Sequence, residues 1–167
     1  MIDRQREYSR THVKTRLTKE RALQKIKHYC GYQERCHHEV KEKLYSMGLG
    51  KKDVDEILSR LIEENYLNEE RFAIQFTGGK FRMLQWGKIK IRNALKQKKV
   101  SEYCIKKAIK EIDDETYHKI IKKLASQKLS ALKTEKNIFI KKRKLQDYLL
   151  QKGFEVELVN QITHALT

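Results

Sequence analysis

Val40-Lys41-Glu42-Lys43-Leu44-Tyr45-Ser46-Met47-Gly48-Leu49-Gly50-Lys51-Lys52-Asp53-Val54-Asp55-Glu56-Ile57-Leu58-Ser59-Arg60-Leu61 is the stretch on which the fold turns. Apolar residues recur every three or four positions on both sides of a glycine-bearing break. Val40 and Leu44 precede it; Val54, Ile57, Leu58, Leu61 and Ile62 follow it. That spacing is one face of an α-helix written twice, with a turn at Gly48 and Gly50 between. The layout then returns. Taking Leu49 as an anchor, Val100 and Phe154 follow at intervals of 51 and 54 residues. Five positions before the anchors lie Leu44, Leu95 and Leu149, and four before those lie Val40, Ile91 and Leu145. Five positions after the anchors come Val54, Ile105 and Val159; twelve after come Leu61, Ile112 and Leu166. All fifteen are apolar in a chain that is 39% hydrophobic, so recurrence explains them better than coincidence. Each copy predicts a helix, a short turn and a second helix packed back on the first, with a further helix ahead of each pair.

The expected fold is therefore all-α: an elongated, curved tandem array of three three-helix repeats. The pattern predicts helices near residues 18–30, 33–47, 51–65, 69–84, 87–98, 101–112, 114–132, 135–152 and 155–166. Thr18, Asn68, Ser101 and Thr134 stand where a side-chain oxygen accepts the first free helix amides. Gly31, Gly48, Gly50, Gly87 and Gly153 suit helix ends or connections, while Gly78 and Gly79 fall inside the fourth helix and are expected to weaken or bend it. The expected division is a basic extension over 1–17, then repeats over 18–67, 68–112 and 113–167. No stretch alternates in the way a half-buried strand requires.

Composition agrees and excludes several classes. Leu, Ile, Val and Phe make up about 26% of the 167 residues, above the level at which highly charged chains stay unfolded. No apolar run approaches the roughly 18 residues of a membrane span, and no apolar segment follows the basic N-terminus as in a secretory signal. Three cysteines, Cys30, Cys36 and Cys104, are too few and too irregular for a disulfide framework, so a cytoplasmic setting is expected.

Charge is the functional signal. The net charge is +16, and residues 71–110 carry twelve basic side chains against the single acid Glu102. An imbalance of that size repels itself unless a polyanion or an acidic protein surface offsets it. Arg92, Lys96 and Lys99 form a helical stripe beside Ile91 and Leu95. Lys106, Lys107 and Lys110 cluster beside Ile105 and Ile109. With Lys88, Lys90 and Lys98 they make the candidate filament- or nucleic-acid-binding set.

Catalysis finds little footing. Gly78-Gly79-Lys80 lacks the spacing and the following Ser or Thr of a nucleotide-binding loop, and no nucleophile signature is present. Asp53-Asp55 and Asp113-Asp114 fall at predicted helix starts, where capping accounts for them. His28, Cys30, Cys36, His37 and His38 have the chemistry of zinc ligands, but their spacing is no usual finger and they straddle a helix–helix turn. No metal, cofactor or enzymatic activity is expected.

Particular residues then carry a resemblance. Glu64-Asn65-Tyr66-Leu67-Asn68-Glu69-Glu70-Arg71-Phe72-Ala73, followed by Phe76, resembles the linker and helix start of the RecX family. Tyr29-Cys30, Arg35 and Glu39-Val40-Lys41-Glu42-Lys43-Leu44 are similar to that family's first repeat; Trp86-Gly87-Lys88-Ile89-Lys90-Ile91-Arg92 with Leu95 resembles its second. The likeness covers roughly residues 20–166, with Lys98-Lys99 where a Lys-Gly pair is commoner. It implies a non-enzymatic, monomeric regulator that lodges in the groove of the RecA recombinase filament and inhibits it, with single- or double-stranded DNA as a secondary partner. A general basic helical nucleic-acid-binding protein is the alternative. Tyr66 and Phe72 are expected as core residues fixing the angle between the first two units, and Trp86 as a side chain buried at a unit boundary.

Overall fold

Fourteen of the fifteen repeat positions lose their contact with water; only Leu166, at the end of the last helix, stays exposed. Burying an aliphatic side chain of this size contributes about 2 kcal/mol, so the recurrent positions are the main source of stability. The computed structural model describes residues 17–166, and the expected basic extension lies outside them except for Leu17. The described residues form helices and no strand: α1 (Lys19–Tyr32), α2 (His37–Ser46), α3 (Lys51–Glu63), α4 (Glu69–Leu84), α5 (Lys88–Gln97), α6 (Glu102–Lys110), α7 (Asp114–Ala131), α8 (Ile138–Lys152) and α9 (Val156–Leu166). The main packing runs within three consecutive groups, α1–α3, α4–α6 and α7–α9. Tandem three-helix repeats are thus the architecture.

The backbone repeats as well as the side chains. Immediately before the anchors Leu49, Val100 and Phe154 stand Gly48, Lys99 and Gly153, all with positive φ, at 85°, 57° and 92°. Each repeat turns its helix pair through a left-handed residue, and the second does so without glycine.

Local chemistry sets the helix starts. Thr18 Oγ1, Asn68 Oδ1 and Ser101 Oγ accept from the amides of Arg21, Arg71 and Cys104 at 3.4, 2.9 and 3.4 Å. Three expectations need correction. Gly31 does not end α1, which runs on to Tyr32. α2 begins at His37 because Cys36 caps it, its Sγ accepting from the Glu39 amide while the Glu39 carboxylate accepts from the Cys36 amide. α8 starts from Asn137 rather than Thr134, since Asn137 Oδ1 accepts from the amides of Phe139 and Ile140 at 3.0 and 3.3 Å. α4 passes through Gly78 and Gly79 without interruption. There the buried Phe72, Ala73, Thr77 and Phe81 supply tertiary packing that outweighs two weak helix formers.

Two cores hold the array. Ala22, Ile26, Cys30, Val40, Leu44, Leu49, Val54, Ile57, Leu61 and Leu67 fill the first group. The second and third groups share one continuous core, which Cys36 joins from the first.

Candidate polyanion interface

Nine cations were expected to form one binding set, and the structure divides them by what they touch. Four are engaged in holding the array together. Lys88 Nζ pairs with Asp114 Oδ1 at 2.8 Å and lies 4.6 Å from the centroid of the Tyr117 ring. That pairing holds the Asp114 carboxyl below its usual range. Lys90 Nζ donates to the carbonyl of Gln151 at 3.1 Å and lies over Trp86. Lys98 Nζ meets Glu39 Oε1 at 2.5 Å, tying the α5–α6 turn to α2. Lys107 pairs with Glu70 Oε1 on α4 at 2.7 Å, which raises the lysine's pKa.

The other five stay on the surface. Arg92 Nη1 and Lys96 Nζ approach the two carboxylate oxygens of Glu102 at 3.2 and 3.5 Å, so the stripe on α5 faces the start of α6. From Glu102, Lys106 and Lys110 follow one and two turns along α6 on the same row. Lys99 projects from the left-handed turn between the two helices. Lys99, Lys106 and Lys110 are exposed and meet no carboxylate among the described residues. The result is a cationic surface over α5 and α6 with Glu102 between its two rows. Its arrangement suits a series of anionic groups better than one small molecule.

Two rigid junctions position this surface. Gly87 caps α5 with no side chain, and the amides of Gly87, Lys88 and Ile89 are satisfied from the third group. The amides of Gly87 and Ile89 donate to the carbonyls of Lys152 and Gly153 at 2.9 and 3.0 Å. The Lys88 amide donates to the Tyr117 hydroxyl at 2.9 Å, and that hydroxyl donates to Glu155 Oε2 at 2.7 Å. Tyr117 is buried against Phe81 and Phe154, which pushes its phenol pKa well above the ordinary value. The carbonyl end of α8 thus meets the amide end of α5, a favourable meeting of helix dipoles.

The first junction relies on side chains. Arg71 Nε donates to Glu34 Oε1 at 2.6 Å, while its other nitrogens donate to the side chain and carbonyl of Asn65 at 3.0 and 3.1 Å. Arg71 lies in the motif Glu64–Ala73, so that motif includes a staple between the first two groups. The sequence assigned no joining role to Arg71 or Tyr117, because Glu34 lies 37 residues from the first and Lys88 and Glu155 lie 29 and 38 from the second.

The remaining candidates separate. Phe72 is buried, as expected, but Tyr66 is 39% exposed beneath Lys27 and is not a core residue. Trp86 is half-buried against the shared core, with Lys80 and Lys90 about its ring. Cys30 and Cys36 are buried with raised thiol pKa values, Cys30 reaching about 11, so both are poor thiolate sources. Among the described residues no three His, Cys, Asp or Glu side chains gather as metal ligands. No described helix is long and apolar enough to cross a membrane.

Comparison with known proteins gives a consistent picture. Residues 68–109 match the model of the RecX second three-helix domain, and residues 115–163 that of the RecX third three-helix domain. Regulatory protein RecX of Clostridium perfringens (strain 13 / Type A) is 32% identical over 130 residues, spanning 77% of this chain and 60% of its own. That of Bacillus cytotoxicus is 29% identical over 132 residues, 78% of this chain and 48% of its own. The chain therefore spans about half to three fifths of the length of these relatives. Regulatory protein RecX of Prosthecochloris aestuarii is 27% identical over 141 residues and is covered to 90%. The crystal structure of RecX from Lactobacillus salivarius shares the fold with a TM-score of 0.80 at 22% identity, over 89% of this chain and 96% of that one.

Proposed function

The chain belongs to the RecX family, and on that premise we propose that it is a non-enzymatic regulator of the RecA recombinase filament in DNA recombination and repair. It acts as a monomer that lies in the filament groove and opposes the subunit rearrangements of ATP turnover. The observation that carries this reading is the α5–α6 surface, where Arg92, Lys96, Lys106 and Lys110 lie on two adjoining helices and Lys99 on the turn between them, held by junctions on both sides. A rigid cationic rod with its charges spread along two helices complements a polymer bearing periodic acidic groups. Lys88, Lys90 and Lys98, bound into the junctions, support the same function indirectly by fixing where that rod points, and Lys107 ties α6 to α4 within the repeat.

The deciding measurement is the DNA-dependent ATP hydrolysis of assembled recombinase filaments, titrated with this protein. Suppression at submicromolar protein is expected; unchanged hydrolysis at saturation overturns the reading. The unpaired Lys99, Lys106 and Lys110 also suit a general nucleic-acid-binding protein. That alternative predicts equal affinity for bare single-stranded DNA and for filament at two salt concentrations, whereas the filament reading predicts preference for the filament.

A further inference from the structure

The charge on the second repeat leaves unexplained a feature of the first. Two neighbouring hollows open beside α1. One, of about 680 Å³, is lined by Lys25, His28, Tyr29, Tyr32, Lys43 and Met47 together with Leu17 and Ser46. The other, of about 350 Å³, is lined by Lys27, His28, Gly31, Tyr32 and Tyr66. His28 and Tyr32 border both. Tyr32 is 82% exposed at the last residue of α1, although an aromatic ring of that size normally seeks cover. Among the described residues no carboxylate lines either hollow. Among the described residues, Lys25, His28 and Lys43 are exposed and pair with no acid, while Lys27 is already tied to Glu64.

The two tyrosines of α1 differ in what they offer. Tyr29 carries the Arg35 guanidinium 4.1 Å from its ring centroid, with Lys43 Nζ at 5.9 Å, so its faces are engaged within the protein. Tyr32 has no such partner among the described residues. The electrostatics also orient an occupant. The carbonyl end of α1 carries partial negative charge and no basic residue in its last turn, which disfavours phosphate beside Tyr32. Lys25 lies nearly two turns back along α1, and Lys43 stands across the hollow on α2. Phosphates are favoured at the lysines and flat rings at the tyrosine.

We propose that this paired hollow is a single-stranded nucleic-acid subsite, in which Tyr32 stacks between unpaired bases while Lys25 and Lys43 contact the flanking phosphates. Aromatic platforms set in cationic grooves bind single strands with little sequence preference, because every base offers a flat face. A duplex keeps its bases paired and stacked, so it gains nothing from Tyr32. The subsite lies on the first repeat, apart from the α5–α6 surface, and does not depend on recombinase binding.

The test uses the full chain without recombinase, with a fluorescently labelled oligothymidine and a duplex of equal phosphate number, read by anisotropy. Tyr32→Ala is expected to weaken single-strand binding about tenfold and leave the duplex unchanged. Tyr32→Phe retains the ring and is expected to bind as the parent does. Lys25→Ala with Lys43→Ala is expected to reduce the salt slope of single-strand binding by roughly one to one and a half. Unchanged single-strand affinity in Tyr32→Ala overturns the subsite. Equal losses for single strand and duplex, or no rescue by Tyr32→Phe, also overturn it. Because Tyr32 leaves the core untouched, helical circular dichroism is expected to be the same in all variants. Failure to inhibit a recombinase would defeat the proposed function and leave this result standing.

Discussion

The Gly87 amide donates to the Lys152 carbonyl at 2.9 Å, joining the start of α5 to the end of α8 across 65 residues of chain. The approach is so close that a Cβ on Gly87 would sit 2.1 Å from the Gly153 carbonyl oxygen. From the other side, a Cβ on Gly153 would lie 2.2 Å from Lys90 Cβ. Two glycines thus let the backbone of the third repeat approach closely enough to accept from the first amides of α5, beside the Tyr117 hydroxyl that accepts from Lys88.

Gly87→Ala is therefore expected to force the junction apart and destabilise the protein by about 1–3 kcal/mol. Gly79→Ala is the contrasting change. Nothing lies within 4 Å of the added methyl, and the site is inside α4. It should stabilise by up to about 1 kcal/mol. Urea titration of both variants checks the pair; a Gly87→Ala protein as stable as its parent would refute the close backbone packing.

Lys99→Gly separates fold from charge. Lys99 occupies the left-handed position that Gly48 and Gly153 fill in the other repeats. Relief of about 1–2 kcal/mol of steric strain, less the greater unfolded freedom of glycine, should leave a gain of about 0.5–1 kcal/mol. The same variant removes a surface cation, so it is expected to melt later yet bind filament or DNA more weakly. If it is less stable than the parent, Lys99 makes contacts that outweigh its backbone.

Tyr117→Phe removes the hydroxyl that accepts from the Lys88 amide and donates to Glu155. Leaving those groups unsatisfied at a part-buried site should cost about 1–3 kcal/mol at neutral pH. There is also a pH signature. Burial raises the Tyr117 pKa above its ordinary value of 10, so above pH 10 the unfolded chain gives up a proton that the folded chain keeps. Stability is therefore complete below that pH and falls as pH rises. Burial of Cys30, which moves its thiol from 9.0 to about 11, adds a fall between those values. Urea midpoints followed from pH 8 upward should show Tyr117→Phe declining less steeply than the parent above about pH 10. Identical slopes would mean that Tyr117 is not held as a buried phenol.

Arg92→Glu, Lys96→Glu and Lys99→Glu together are expected to abolish most inhibition of recombinase ATP hydrolysis while leaving helicity intact. Normal inhibition would move the contact surface elsewhere. Glu102→Gln makes the complementary prediction, since it frees Arg92 and Lys96 from their shared carboxylate. Exposed pairs of this kind contribute at most about 1 kcal/mol, so stability should barely change. Affinity for filament or DNA should rise a few-fold at low salt and converge with the parent at high salt.

The helices and their threefold recurrence were legible because helix periodicity is a local property. Val40 and Leu44, or Ile91 and Leu95, declare their shared face within a single turn, and fourteen of fifteen such positions are buried. Misplaced boundaries had local causes that composition hides. A cysteine served as the cap of α2, and Asn137 outcompeted Thr134 for the start of α8. Tyr66 looked like core because it lies among motif residues, yet it turned outward beneath Lys27.

The amino-acid order determined that this chain is helical, that it repeats three times, and that positive charge gathers in the middle repeat. Packing between repeats decided which cations remain available. Lys88, Lys90 and Lys98 find partners 26, 61 and 59 residues away, whereas Lys99, Lys106 and Lys110 find no carboxylate among the described residues. The physical reason is one of range. A helix is specified by neighbours three and four residues apart, but a charge is neutralised by whatever the fold brings within a few ångströms of it.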